Sequence, residues 1–348
     1  MLYFDLVVVT RKFATSCTDE GCLRRGRKDF AQVNSDSMDI DSVIRAIDEL
    51  RFRRTVNRPE TYPSAARQDR FKGNRNIRRK INGLSEEPIY ISNSFTVPLP
   101  KGIDVSEGDL SNLSGMIEGN GTDALAFYQP FHFFDDKSWG IFIKMIGIEY
   151  LVRRVFLPRL STRQCRIGIT VNDVDEEKTA PSAPPSTDAL RQVAFAFLFC
   201  HEYFHFLTEI AASALEVAIG STGPPYYYRY SRDVYSNPQK SPAEPLEEAL
   251  ANAYAYRGFH ALSPLTRLVP GHKKNVGLAL QRFMKNQPGS YSSFWKFQGQ
   301  AFVDGLSMLG MQICSGLPAQ AVSPPLELMF DWGPRPFWFH KVPVRFVF

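Results

Sequence analysis

The sequence lacks an apolar run long enough to cross a membrane. A spanning helix needs about 20 consecutive apolar residues, and the best candidate, Trp139 to Leu157, is interrupted by charges at Lys144, Glu149, Arg153 and Arg154. The start of the chain, MLYFDLVVVTRK, has no basic lead-in and no small-residue cleavage site of the kind a secretory signal carries. We therefore expect no membrane association and a cytoplasmic location.

Cysteine is also scarce, which argues against a secreted disulfide scaffold. The chain has 5 cysteines, an odd number, and they are scattered (Cys17, Cys22, Cys165, Cys200, Cys314). Cys17 and Cys22 resemble half of a metal knuckle, but no second pair completes the four ligands that a closed structural zinc site needs. The composition predicts reduced thiols.

What the sequence does have is an ordinary soluble composition with a basic N-terminal segment. The 348 residues are 44% hydrophobic and 22% charged, with a net charge of +5, and basic residues outnumber acidic ones within 1–80. Such basic clusters suit a nucleic acid or another acidic partner, but we favour a solvated, partly flexible face as their explanation. Apolar residues at helical spacing predict one amphipathic helix at 36–54.

The remaining chain divides by composition into three further segments. After the basic region, 1–86, short β-branched and aromatic runs predict a small β-rich subdomain with at least one helix at 87–171. An acidic, then Pro- and Ser-rich stretch predicts a linker at 172–187, and a helical half follows at 188–348. Within that half we predict helices at 188–219, 246–262 and 292–314, a long Tyr-rich loop at 220–245 and a strand at the end. These elements indicate an α+β fold.

The most specific pattern is HEYFH at 201–205, midway along the first of these helices. Residues i and i+4 lie on one face of a helix, so His201 and His205 can offer imidazoles to one ion while Glu202 stands beside it. In this His-Glu-x-x-His arrangement the histidines bind Zn²⁺ and the glutamate acts as general base. The competing explanation, two hydrogen-bonded core histidines, would leave Glu202 buried without a cation.

A catalytic zinc needs a third protein ligand and an open fourth position. Glu248 is the leading candidate, because Asn252 follows one turn later on the helix EEALANAYA and can hydrogen-bond the back nitrogen of a ligand histidine. Glu209, one turn beyond His205, is a rival acid, as are Glu247 and Asp233. We therefore expect one zinc ion per chain, held by His201, His205 and Glu248.

These two motifs, HEYFH at 201–205 and EEALAN at 247–252, resemble the zinc metallopeptidases called gluzincins, typified by thermolysin, and the phage-repressor-cleaving metallopeptidases of bacteria. The resemblance covers about residues 190–260 and implies a zincin-like core with His201, His205 and Glu248 as ligands, Glu202 as base and Asn252 behind the ligands. A metzincin would instead have Gly at 208 and His at 211, where this chain has Thr208 and Ala211.

The expected activity is that of a zinc-dependent endopeptidase acting on a protein or peptide substrate. Glu202 would take a proton from a zinc-activated water and deliver it to the leaving amine. An oxyanion donor is also needed, and the candidates are Tyr226, Tyr227, Tyr228, Tyr230, Tyr235 and His260. The alternative is a nucleic-acid-binding or regulatory protein in which the basic region does the work and the zinc motif is a sensor or an inactive relic.

Overall fold

A long buried helix and a small sheet organise the part of the chain that the structure describes. In this computed structural model that part comprises 88–91, 97–131, 139–161, 184–219, 226–235, 245–261, 267–314 and 342–348. The predicted basic region at 1–86, its helix at 36–54 and most of the predicted linker lie outside these residues. The possible partner interactions of the basic region therefore stay predictions.

The elements follow one another in a mainly helical order. Helix α1 is Glu107–Asn120, a 3₁₀ turn is Gly121–Ala124, and strands β1 and β2 are Ala126–Gln129 and Gly140–Lys144. Helix α2 is α-helical over Met145–Tyr150, π-helical over Leu151–Phe156 and α-helical again over Leu157–Ser161. Helix α3 is Thr187–Ile219, and α4 combines an α-helical turn, Tyr226–Arg229, with a π-helical turn, Tyr230–Tyr235. Then come α5, Leu246–Ala261, α6, Lys273–Lys285, a 3₁₀ helix, Gly289–Lys296, α7, Gln300–Ile313, and β3, Val344–Val347.

Helix α3 is the central element of the core. It is 33 residues long and is preceded by Ser186, whose hydroxyl accepts a hydrogen bond from the backbone N–H of Ala189 at 3.1 Å, as an N-cap residue does. Between residues 190 and 213 every side chain except Gln192 is buried. A helix apolar on all sides must be surrounded by other elements, and α5 packs directly against it.

The sheet is small and mixed. Strand β2 lies in the centre, antiparallel to β1 and parallel to β3, and Ile89 makes an antiparallel bridge to Val344 on the far side of β3. Strand β1 and strand β2 both contact α3. The sheet therefore combines strands from the predicted β-rich subdomain with the predicted C-terminal strand, and it covers one side of the central helix.

These observations agree with an α+β class in which helices dominate. The helices predicted at 188–219 and 246–262 are present, and the one predicted at 292–314 is divided into a 3₁₀ helix and α7. The loop prediction at 220–245 is wrong for residues 226–235, which form α4, because the side chains of Tyr226, Tyr227 and Tyr230 are buried in the core. Helices α1 and α6 were not predicted. Within the described residues no helix has both the length and the apolarity to cross a bilayer.

Candidate metal centre

The two motif histidines meet on one face of α3. His201 and His205 lie one turn apart, with ring centroids separated by 5.2 Å, and both are buried. The helical spacing alone places them together, as expected from the sequence. Glu202 follows His201 on the helix and is 1% exposed, so a carboxyl group also lies in this buried region.

Two further acids complete a group of four candidate metal ligands. One ligand atom each from Asp123, His201, His205 and Glu248 lies within 4.8 Å of all the others. Nε2 of His201 is 3.5 Å from Asp123 Oδ1 and 3.4 Å from Glu248 Oε2. Nε2 of His205 is 3.5 Å from Glu248 Oε2. These four residues could hold a metal ion.

The separations between these atoms suit a small cation with four ligands. Nitrogen and oxygen atoms about 2.1 Å from a tetrahedral Zn²⁺ lie roughly 3.4 Å from each other, close to the distances just given. The same four atoms are buried, and none of them has a hydrogen-bond partner. Buried polar atoms are normally paired, so their common lack of a partner is best explained by a cation between them.

Asp123 is the ligand candidate that the sequence did not predict. It lies in the 3₁₀ turn Gly121–Ala124, between α1 and β1, and belongs to the segment GNGTDA. Composition alone makes this segment an ordinary polar turn. The only local signal is an acid close to the start of a predicted strand, and nothing in the sequence indicates that this strand lies beside α3.

Gly121 shows how closely this turn packs on its neighbours. Its φ is +56°, in the left-handed region that favours glycine, and a Cβ atom at this position would lie 2.6 Å from the ring of Tyr291. The Tyr291 ring also stacks on His201, with centroids 6.1 Å apart. Tyr291 is therefore a site residue that the sequence did not reveal, and its ring lies between the Asp123 turn and a ligand histidine.

Glu247 orients the second histidine. Its Oε1 lies 2.7 Å from His205 Nδ1, and its Oε2 accepts a hydrogen bond from the hydroxyl of Tyr230 at 2.5 Å. A carboxylate on Nδ1 places the imidazole proton on that nitrogen and leaves Nε2 with a lone pair for a metal ion. Glu247, a rival ligand in the sequence analysis, thus lies behind the ligand set.

Asn252 has a different role from the one expected. The prediction placed it on the back nitrogen of a ligand histidine, but its hydrogen bonds go elsewhere: it accepts from Thr122 Oγ1 at 3.1 Å and donates to Gln287 Oε1 at 2.8 Å and to the carbonyl of Tyr291 at 3.0 Å. Asn252 lies one turn beyond Glu248 on α5, so its amide reaches the Asp123 turn instead of the histidines. It connects that turn to α5.

Of the six predicted oxyanion donors, Tyr235 and His260 lie in different places. Tyr235 donates a hydrogen bond to Oε1 of Glu248, so it lies at the candidate metal centre. Tyr228 belongs to α4, but the structure does not describe its side chain. His260 is exposed and follows Glu248 by three turns of α5, roughly 18 Å along the axis at 1.5 Å per residue. His260 cannot act in this centre.

The other rival acids are not in the ligand group. Glu209 Oε2 accepts hydrogen bonds from the hydroxyl of Tyr128 at 2.6 Å and from the backbone N–H of Phe131 at 3.1 Å. Glu209 therefore connects α3 to the end of β1. The structure does not describe the side chain of Asp233.

The pKa values in the cluster are shifted because buried acids and bases face one another. Burial lowers the pKa of His201, but the neighbouring Asp123 and Glu248 outweigh it and raise the pKa to about 9. Burial raises the pKa of Glu202 to about 8, against the attraction of His201. The pKa of Glu248 is lowered despite burial, because both histidines interact with it. The metal-free centre therefore holds protons that a cation would displace.

Lys144 brings a positive charge close to the same group. Its Nζ donates to the carbonyl of Ala124 at 2.6 Å, at the end of the turn that carries Asp123. Burial lowers the pKa of Lys144, and the nearby carboxylates of Asp123 and Glu202 oppose that change. Lys144 is thus within electrostatic reach of both acids.

Comparison with known proteins gives no independent assignment. No protein-family model, curated protein or solved structure shows a significant match to the chain.

Proposed function

We propose that the chain is a zinc-dependent endopeptidase whose active site is the centre formed by α3, α5 and the Asp123 turn. The observation that carries the proposal is the position of Glu202. Its Oε1 is buried without a hydrogen-bond partner, beside two histidines and an acid whose ligand atoms converge. A structural metal site needs no such additional carboxyl group, whereas hydrolysis needs a base.

Zinc is the metal that these donors suit best. Imidazole nitrogens and carboxylate oxygens together are typical zinc ligands, while Mg²⁺ and Ca²⁺ favour sites made of oxygen alone. The short separations between the ligand atoms also favour four coordination over a larger shell. His201, His205 and Glu248 would hold the ion, with His205 oriented by Glu247.

Glu202 carries the proton transfers in this proposal. A bound zinc ion would polarise the peptide carbonyl and lower the pKa of a water molecule from about 15.7 toward roughly 7. Glu202 accepts a proton from the attacking water and then gives it to the leaving amine nitrogen, so one carboxyl group acts first as base and then as acid. The burial that raises its pKa suits it to both roles.

In this proposal two groups would stabilise the negative oxygen that develops on the substrate. Tyr291 stacks on His201, and Lys144 lies within electrostatic reach of Glu202. Donors already fixed in a buried site are more effective than water for this purpose. They replace His260 among the predicted candidates, and Tyr235 remains a candidate through its contact with Glu248.

The sheet offers a place for an extended peptide. Strand β1 pairs with β2 on one side only among the described residues, and it begins just after the Asp123 turn. A peptide can add to such an edge through backbone hydrogen bonds, which would lead it past the candidate metal centre. This arrangement and the resemblance to gluzincins support the proposal of a protein or peptide substrate.

The direct test compares the wild type with Glu202→Gln, an isosteric change that removes the base. We expect both to bind one zinc ion per chain, with peptide hydrolysis reduced at least about 100-fold in the variant. Mass spectrometric identification of new protein N-termini in cells expressing either form supplies the substrates. Glu118→Gln, on the exposed face of α1, is the matched control. Full hydrolytic activity in Glu202→Gln would reject the mechanism.

The alternative of a regulatory protein with an inactive zinc site has one observation in its favour. Four protein ligand candidates converge here, and closed sites with four protein ligands are usually structural. On this alternative the chain binds zinc without cleaving any protein, and the basic region 1–86 binds nucleic acid with steep salt dependence. Titration of a duplex DNA and an RNA with the full chain at two salt concentrations distinguishes the two functions.

A further inference from the structure

The candidate metal centre has one protein ligand more than a hydrolytic zinc site needs. Catalytic zinc keeps three protein ligands and leaves a position for water or substrate. Here Asp123 Oδ1 lies 3.5 Å from His201 Nε2, and Asp123 offers a ligand atom within 4.8 Å of those of His205 and Glu248. A cation bound by all four would have no tetrahedral position left for water.

The four ligands differ in how they face solvent. The side chain of Asp123 is 35% exposed, whereas those of His201, His205 and Glu248 are 0%, 9% and 2% exposed. Water and substrate can approach only from the solvent side. Asp123 therefore holds the position through which they must reach the ion.

We propose that Asp123 is a self-inhibitory ligand, which closes the metal centre in the resting protein and swings away to admit water and substrate. This inference rests on the proposed function and concerns the regulation of the same site. The exchange is of ligands only: the carboxylate oxygen leaves the ion, and a water oxygen or a substrate carbonyl oxygen replaces it.

The contacts around the turn allow the side chain to move while the backbone stays fixed. Thr122, the preceding residue, donates to Asn252 Oδ1 at 3.1 Å and accepts from Gln287 Nε2 at 2.9 Å. Asp123 Oδ1 itself has no hydrogen-bond partner. Rotation of the Asp123 side chain toward solvent would thus break no hydrogen bond of this oxygen.

The first experiment measures access to the metal directly. Wild type, Asp123→Ala and Asp123→Asn are loaded with Co²⁺ in place of zinc and titrated with azide, a small anion that needs an open coordination position. We expect azide to bind at least about tenfold more tightly to Asp123→Ala than to the wild type, since each tenfold change corresponds to about 1.4 kcal/mol. Asp104→Asn, an exposed position outside the cluster, is the control and should behave as the wild type.

Two results with Asp123→Ala would overturn the inference. Unchanged azide affinity in Asp123→Ala would show that Asp123 does not hold the position, and complete loss of metal from that variant would show an indispensable ligand. A crystal structure of the zinc-loaded wild type gives a second measurement that does not depend on any variant. We expect Asp123 Oδ1 bonded to the zinc; a water in that place would also overturn the inference.

Hydrolysis separates this inference from the proposed function. Both together predict that Asp123→Ala cleaves peptides several-fold faster than the wild type. If azide binds more tightly to the variant but neither protein cleaves any peptide, the endopeptidase proposal fails and the ligand role of Asp123 stands. If the wild type cleaves peptides and Asp123→Ala differs from it in neither azide affinity nor cleavage rate, the endopeptidase proposal stands and the ligand role of Asp123 fails.

Discussion

A single neighbouring carboxylate decides which nitrogen of His205 faces the candidate metal centre. Glu247 Oε1 lies on Nδ1 at 2.7 Å, which leaves Nε2 for the ion. A group that hydrogen-bonds the other ring nitrogen of a metal-binding histidine fixes its tautomer and the orientation of its ring. The buried hydroxyl of Tyr230 in turn holds Glu247, so the orientation depends on α4 as well as α5.

Replacing Glu247 should weaken metal binding without removing a ligand. We expect Glu247→Ala to lower the zinc affinity about 10- to 100-fold, because His205 loses the group that orients its ring. Glu247→Gln keeps an acceptor oxygen and should lose less. Competition with a chromophoric zinc chelator measures both affinities. Equal affinities in wild type and Glu247→Ala would contradict this role.

Zinc affinity should also rise with pH. In the metal-free protein the pKa of His201 is raised to about 9, so the imidazole keeps its proton at neutral pH and must release it to bind the ion. Affinity should therefore increase as pH rises from 6.5 to about 9, by up to tenfold per pH unit for each proton displaced. Calorimetric titrations in buffers of different ionisation enthalpy count those protons. A pH-independent affinity would contradict the prediction.

The same residues show what a sequence can reveal about a site. His201, Glu202 and His205 follow from spacing within one helix, and Glu248 follows from its acidic helix. Asp123 and Tyr291 do not, because they reach the centre through tertiary contacts such as the hydrogen bond between Thr122 and Asn252. No local pattern encodes a contact between segments this far apart in the chain.

At the scale of elements, one amide joins three segments around the candidate centre. Asn252 on α5 contacts Thr122 in the Asp123 turn, Gln287 after α6 and the carbonyl of Tyr291 in the 3₁₀ helix. It is fully buried, and without it Thr122 and Gln287 would keep only the hydrogen bonds that they make to each other. The network holds the Asp123 turn against the helix that carries Glu248.

Removing this amide should destabilise the fold. We expect Asn252→Ala to lower the free energy of unfolding by about 1–3 kcal/mol, the usual cost of leaving buried polar groups unpaired. Urea unfolding followed by circular dichroism measures the change. Gln300→Ala, at an exposed position at the start of α7, is the control. A variant as stable as the wild type would show that water replaces the amide.

Element prediction succeeded where local signals are strong. Ser186 marks the start of α3, and the absence of Pro and Gly up to Gly220 marks its extent. Prediction failed for α4, which follows Pro224 and Pro225 and carries several polar residues as a loop does, because burial of tyrosines outweighs the local preference. Tertiary packing of this kind is not visible in a short window of sequence.

At the scale of the whole molecule, the candidate metal ligands come from three distant segments. Asp123 precedes the sheet, the histidines lie on α3, and Glu248 begins α5. A cation that binds all of them only in the folded state stabilises that state by linkage. A metal ion bound at the centre should therefore contribute to the stability of the fold.

Thermal unfolding should show this linkage. At a free zinc concentration 100 times the dissociation constant, we expect a gain of about 2.7 kcal/mol in the free energy of unfolding and a higher Tm than in EDTA. A His201→Ala, His205→Ala double variant should lose the difference between the two conditions. An identical Tm for the wild type with zinc and with EDTA would contradict binding at this centre.

The pairing of β2 with β3 has a consequence for how the protein is made. Ile141 pairs with Val344 and Ile143 with Phe346, across a separation of roughly 200 residues, and such distant pairings form slowly. During synthesis one edge of β2 stays without its partner strand until the ribosome has produced β3 much later. Lys144 is the last residue of β2, so its final position beside Asp123 and Glu202 also depends on the pairing of β2 with β3. A nascent chain would consequently remain without a finished candidate metal centre while most of it is being translated.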